Sequence, residues 1–183
     1  MKNNHTTRKL VYTSICIAIG IILPQMLHLL PIANVGSVLL PMHIPVLICG
    51  FICGYRYGAV CGIILPFLSF VLTGMPPLFP IGISMMAELA TYGLLAGIFY
   101  EVTKGKILPS LLIAMIGGRI VLGISSAILF GMAGIPYGFE VFIGGAFVTA
   151  LPGIIIQILI IPPILFALNK LNLSAYPRFA ARN

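Results

Sequence analysis

The sequence predicts an all-α integral membrane protein with six transmembrane helices packed as one compact bundle. Three observations predict it. Of 183 residues, 60% are hydrophobic and 7% charged, with a mean hydropathy of +1.17. A water-soluble domain cannot hide that much apolar surface, so lipid is the expected solvent. Apolar runs of the length needed to cross about 30 Å of hydrocarbon recur along the chain. The basic residues, finally, cluster in every second connection.

The first span covers roughly 10–29, "LVYTSICIAIGIILPQMLHL", after the basic start "MKNNHTTRK". No small-x-small cleavage site precedes a soluble region, so this run is expected to remain as a permanent span rather than a removed signal peptide. The second is short, roughly 42–55, and the third roughly 58–73; either could be a short helix or partly re-entrant. The fourth covers 81–100, the fifth 108–130 and the sixth 142–168. No internal repeat or second domain stands out, and 1–183 is expected to be a single transmembrane domain.

Outside these spans lie Lys2, Arg8, Lys9, Arg56, Lys104, Lys106, Lys170, Arg178 and Arg182, nine of the ten Lys and Arg residues. They fall at the N-terminus, in alternate loops and at the C-terminus. Loops 30–41, 74–80 and 131–141 carry none. The positive-inside rule then puts both termini in the cytoplasm, which requires an even number of spans. The same asymmetry accounts for the net charge of +7, so nucleic acid is not an expected partner. These three almost uncharged loops, "LPIANVGSVLLP", "GMPPLFP" and "GMAGIPYGFE", are rich in Pro and Gly. Such loops act as lids packed on the protein or as simple turns.

Several chemistries are excluded. There is no G-x-x-x-x-G-K-[ST] and no H-E-x-x-H. Asp is absent, and the only Glu residues are Glu88, Glu101 and Glu140. No serine sits in a G-x-S-x-G elbow. His28 and His43 have no metal or nucleophile partner in sequence, so neither an enzyme nor a metal centre is expected. Cys16, Cys49, Cys53 and Cys61 all lie in apolar runs and read as buried structural thiols. Gly50, Gly54, Gly58 and Gly62, and again Gly93 and Gly97, repeat every fourth position, which lets helices approach closely in lipid.

Two opposite charges interrupt the apolar spans: Glu88 in "GISMMAELATYG" and Arg119 in "AMIGGRIVLG". An ionised group at mid-bilayer costs roughly 2.5–3.5 kcal/mol on insertion scales. Arg119 lies about 16 Å from either end of its span and Glu88 roughly 10 Å from the outer end of its own. Their depths differ by about 6 Å, within reach of long side chains on consecutive antiparallel helices. Ser84 and Tyr92 share the face of Glu88 at i−4 and i+4. One reading is an ion pair tying the fourth span to the fifth. The other is a polar pocket open to the outer face, with Arg119 holding a ligand carboxylate or phosphate. Glu88 would accept from the ligand or hold Arg119 in place. Asn34, Ser37, His43 and Gln157 could line the same cavity, or make structural hydrogen bonds.

The segment "LPMHIPVLICGFICGYRYGAVCGIILPFLSFVLTGMPPLFPIGISMMAELATYGLLAGIFYE" resembles the substrate-binding S components of energy-coupling factor (ECF) vitamin transporters, in the branch that includes pantothenate transporters. The resemblance extends over nearly the whole chain. It implies a multi-pass protein of the bacterial cell membrane. It implies as partners a transmembrane coupling (T) subunit and two cytoplasmic ATPase subunits, with ATP used by those partners and no cofactor in this chain. The family's docking pattern on the first helix, Ala-x-x-x-Ala, corresponds here to Ser14 and Ala18, a departure at the first position that keeps both residues small. The resemblance also implies capture of a vitamin from outside and reorientation to release it inside. A lone intramembrane cation points to a small anion. With no Trp, and only Phe79, Tyr92, Tyr137 and Phe139 near the outer mouth, a large flat ring lacks stacking surfaces. Pantothenate fits best; another vitamin, a queuosine-type precursor or a self-sufficient proton-coupled transporter stays open.

Overall fold

Six helical stretches are long and apolar enough to cross a bilayer: Thr6–Leu27, Val35–Cys53, Tyr55–Thr73, Leu78–Val102, Ile107–Met132 and Leu151–Lys170. They come from a computed structural model, which describes residues 2–27, 29 and 35–170. In chain order the helices are α1 (Lys2–Leu27), α2 (Val35–Leu39), α3 (His43–Cys53), α4 (Tyr55–Thr73), α5 (Ile83–Val102), α6 (Ile107–Met132), α7 (Phe139–Ile143) and α8 (Leu151–Lys170). No strand occurs among the described residues. In lipid a helix satisfies its backbone groups internally, which is why an apolar chain takes this form.

The first, fourth and fifth spans lie close to where hydropathy puts them. Three differ. The second contains the expected short helix, α3, but the span as a whole starts earlier. It begins at Val35 and runs through two legs, α2 and α3, joined at Leu40, whose φ is 51°. The third reaches back to Tyr55 and is 19 residues long. Its start is set by Gly54, which turns the chain between α3 and α4 with φ 98°. The sixth begins at Leu151 rather than 142. The preceding apolar residues form α7 and a wide π-type turn, Gly144–Thr149, which ends at Ala150. Hydropathy is blind to that break because both sides of it are equally apolar.

The second span is the centre of the molecule. It is 67% buried within the protein, against 22–44% for the other five. α3 packs against α1, α4, α5 and α8, while α5 packs against α3, α4 and α6. Val46, Leu47, Phe51, Leu65, Leu89, Leu111 and Ile161 fill the space between them. Opposite faces carry lipid-directed side chains: Ile116, Ile120, Ile124 and Ile128 form one exposed row on α6. Arg119 and Met115 lie on the buried side of that helix.

The glycines anticipated as packing positions set the α4–α5 approach. A Cβ on Gly93 would collide with the backbone of Gly58, and one on Gly62 with the backbone of Leu89. Backbone thus meets backbone here, the small-residue contact that drives helix association in lipid. Cys16, Cys49, Cys53 and Cys61 are buried and reduced. Cys49 donates to Thr13 Oγ1 at 3.6 Å, joining α3 to α1.

Candidate functional site

α5 carries Ser84, Glu88 and Tyr92 on one face, one helical turn apart, and all three are buried. Ser84 is occupied locally: its hydroxyl donates to the Pro80 carbonyl at 3.1 Å. Glu88 instead points across the bundle. Its Oε1 lies 2.9 Å from Arg119 Nη1 on α6, and its Oε2 lies 3.4 Å from His43 Nε2 on α3. Three helices therefore meet at one carboxylate. The two long side chains of Glu88 and Arg119 meet across α5 and α6, as expected for consecutive antiparallel helices.

Tyr92 completes the cluster. Its ring stands edge-on to His43, with centroids 5.2 Å apart and planes at 63°. The ring fits against α6 because residue 118 is glycine; a Cβ there would overlap the tyrosine ring. Gly118 makes room for the Tyr92 ring, a packing position that sequence reasoning missed. The available signal was a glycine immediately before the only intramembrane arginine.

Gln157 approaches from α8. Gly153, one turn above it, is pressed against the carbonyls of Val38 and Leu39. α8 also packs against α3 and α6, which carry His43 and Arg119.

The polar bookkeeping of these five residues is unlike that of the rest of the protein. Eight buried side-chain nitrogen and oxygen atoms lack a hydrogen-bond partner among the described residues. They are Nδ1 and Nε2 of His43, Oε1 of Glu88, the Tyr92 hydroxyl, Nε and Nη2 of Arg119, and both amide atoms of Gln157. Glu88 Oε1 and His43 Nε2 appear here despite their short ion contacts, because those contacts are close in distance but not aligned as hydrogen bonds. Each unpartnered buried polar group costs about 1–3 kcal/mol.

One expectation is corrected. The sequence analysis anticipates a hollow open to the outer face at Arg119. The structure buries the guanidinium at 5% exposure and the carboxylate at 2%. Pairing with Glu88 draws Arg119 inward, and the cluster is covered by its own helices. Of the remaining candidates, Ser37 is exposed on α2, and Asn34 and His28 lie outside the described residues. Tyr137 stacks on Phe130 at 4.9 Å, away from the cluster, and Phe79 and Phe139 are exposed. Ser14 and Ala18 lie on the exposed face of α1, and the Ser14 hydroxyl is tied to the Leu10 carbonyl at 3.0 Å. Among the described residues, no group of three His, Cys, Asp or Glu side chains is placed to hold a metal ion.

The family described as ECF transporter, substrate-specific component, matches residues 8–165. This chain belongs to that family. No curated protein and no solved structure shows significant similarity to it. As an ECF substrate-specific component it is a multi-pass membrane protein of an importer, working with T and ATPase subunits in general. Within this ECF component, the matched region takes in α3, α5 and α6 and most of α8, and with them His43, Glu88, Arg119 and Gln157.

Proposed function

We propose that this chain captures a small organic anion, best matched by pantothenate, at the Arg119 cluster from the outer face of a bacterial cell membrane. A transmembrane coupling subunit docked near Ser14 and Ala18, and two cytoplasmic ATPases, then drive its release inside. Both termini are cytoplasmic in this reading, in keeping with the alternation of basic connections.

The observation that carries the reading is the state of the Arg119 guanidinium. Nη1 faces Glu88, while Nε and Nη2 are buried without a partner. Those two atoms form one edge of the guanidinium fork, the edge that takes a carboxylate or phosphate by two parallel hydrogen bonds. Glu88 has both oxygens turned toward Arg119 and His43. Its role is to fix Arg119 in position. Stability alone is weak motivation for keeping such a pair, because apolar replacements of buried ion pairs are often neutral or stabilising.

The test is mass spectrometry of the small molecule that copurifies with the intact chain, followed by calorimetric titration of that molecule into wild type and Arg119→Ala. Loss of binding in a folded, inserted variant is expected; unchanged affinity would refute the site. A second reading is favoured by the His43–Glu88 contact at 3.4 Å. It makes the pair a proton site in a self-sufficient transporter. Uptake that persists with an uncoupler and stops without the ATPases excludes it.

A further inference from the structure

The starts of α1 and α4 stand at the same end of the bundle and carry three cations, Arg8, Lys9 and Arg56. Each rests on a tyrosine ring. The Arg8 guanidinium lies 5.9 Å from the Tyr12 ring centroid and donates from Nη2 to the Tyr12 hydroxyl at 3.3 Å. The Arg56 guanidinium lies 5.6 Å from the Tyr55 centroid and donates from Nε to that hydroxyl at 3.1 Å. Lys9 Nζ reaches from α1 to α4, 5.8 Å from the Tyr57 centroid, and so ties the two helix starts together at one level. Arg8 and Arg56 are exposed, while Lys9 and the three tyrosines are half-buried. Tyrosine beside Lys or Arg settles at a membrane–water interface, with the ring in the headgroup layer and the charge toward water.

Below the cations the same helices turn apolar rows outward. On α4, Val60, Ile63, Phe67 and Val71 follow Arg56 at helical spacing, and all are exposed. On α1, Ile15, Ile19 and Ile22 follow Arg8 in the same way. Charge above an apolar row is the order of phosphate and acyl chain in a phospholipid. This end of the bundle is also one-sided in charge. Of the three Glu residues only Glu101 lies here, against Arg8, Lys9, Arg56, Lys104, Lys106 and Lys170.

We infer that the α1–α4 edge is a binding surface for anionic phospholipid, with Arg8, Lys9 and Arg56 holding the phosphodiester of a headgroup that carries no cation of its own. A guanidinium offers five N–H donors and an ammonium three, and a fork of two guanidinium donors matches a pair of phosphate oxygens. In the proposed orientation this edge meets the cytoplasmic leaflet, where anionic lipid gives a negative surface potential. The surface is separate from the Arg119 cluster. It is separate also from Ser14 and Ala18, which lie roughly 140–180° round α1 from Lys9 at about 100° per residue.

The experiment places the full chain in nanodiscs of equal phosphatidylglycerol and phosphatidylcholine. Lipids that stay with the chain after transfer to mild detergent are identified by native mass spectrometry. Wild type is expected to retain phosphatidylglycerol over phosphatidylcholine by about 10-fold or more, since each cation near the surface contributes about 5-fold. Arg8→Gln, Lys9→Gln and Arg56→Gln should each lower the preference by about 5-fold, and the triple variant should lose it. Lys104→Gln with Lys106→Gln, in the turn between α5 and α6, should leave most of it in place. Raising NaCl from about 0.1 M to about 1 M shortens the Debye length from about 10 Å to about 3 Å and should erase the preference in wild type without any substitution. Equal retention of the two lipids by wild type overturns the inference, as does a preference that survives in the triple variant. An equal loss in the Lys104/Lys106 variant overturns it too, because the preference would then follow overall charge and not this edge. Displacement of the lipid by inorganic phosphate, beyond what NaCl of the same ionic strength achieves, would make the edge a site for free anions and overturn it as a lipid surface. Both nanodisc leaflets are alike, so the assay is blind to orientation and failure counts against the surface alone.

Discussion

The Arg119–Glu88 pair is best interrogated by removing it one charge at a time and then completely. At 2.9 Å the two charges attract by about 6 kcal/mol if the effective dielectric constant is about 20. Most of that is offset by the desolvation of two ions buried to 5% and 2% exposure. What remains visible is the cost of stranding one partner. Arg119→Met and Glu88→Gln should each lower unfolding stability by about 3–5 kcal/mol, because each leaves an unpaired buried charge. The double variant leaves none and should return to within about 1 kcal/mol of wild type. Binding follows a different order. Arg119→Met and the double variant should lose the copurified ligand altogether. Glu88→Gln should weaken binding without abolishing it, since the Nε and Nη2 edge stays free while the neutral amide holds Arg119 less firmly in position. The assays are denaturant unfolding in micelles and isothermal titration of the same preparations. A double variant that is stable and still binds would show that the pair is only a strut between α5 and α6.

Three further outcomes are expected. Gly118→Ala puts a methyl group into the Tyr92 ring; it should displace Tyr92 and weaken ligand affinity with little change in expression, read by titration. Gly93→Val forces α4 and α5 apart at Gly58 and should cost about 3 kcal/mol or more, at or above the upper end of ordinary overpacking; Tm in detergent reads it. Ser14→Leu or Ala18→Leu adds bulk on the exposed face of α1 and should leave ligand affinity intact while stopping transport in cells that co-express the T and ATPase subunits. Normal transport by both would move the docking face elsewhere.

Much of this architecture is legible in the sequence because lipid simplifies the problem. Six apolar runs become six spans, and the odd connections stay free of Lys and Arg whatever the packing. The Glu88–Arg119 meeting is also legible, since consecutive antiparallel helices preserve depth. The participation of His43 is harder to read. It depends on α3 lying at the centre of the bundle and facing α5, and hydropathy says nothing about which span is central. The second span was hidden for a local reason: "IANVGSVLLP" has the glycine and proline of a loop, yet Val35–Leu39 is helical and packs under α8. The sixth was overextended because α7 and the Gly144–Thr149 turn are as apolar as α8. The closed state of the site was not legible either, since a pair of charges gives the same sequence signal whether it lines a hollow or fills one.

The contrast between the cluster and its surroundings bears most directly on what the charges are for. Elsewhere in the bundle this chain satisfies its buried hydroxyls. Thr13 donates to the Lys9 carbonyl at 2.8 Å, Ser69 to Met75 at 2.8 Å and Ser110 to Lys106 at 2.7 Å. Thr13 and Ser110 bond back to the preceding turn and Ser69 bonds forward to the loop after α4, so each buried hydroxyl finds a backbone carbonyl nearby. A strut evolved only for stability would be held to the same standard, with its guanidinium edge and its neighbouring amide capped by backbone carbonyls or serines. Instead, the unpartnered atoms gather on five residues from four helices, Arg119 among them. Packing error would scatter such defects through the bundle. Their concentration on these few residues, with donors and acceptors both represented, fits the proposed guest, which would supply the missing half of each hydrogen bond.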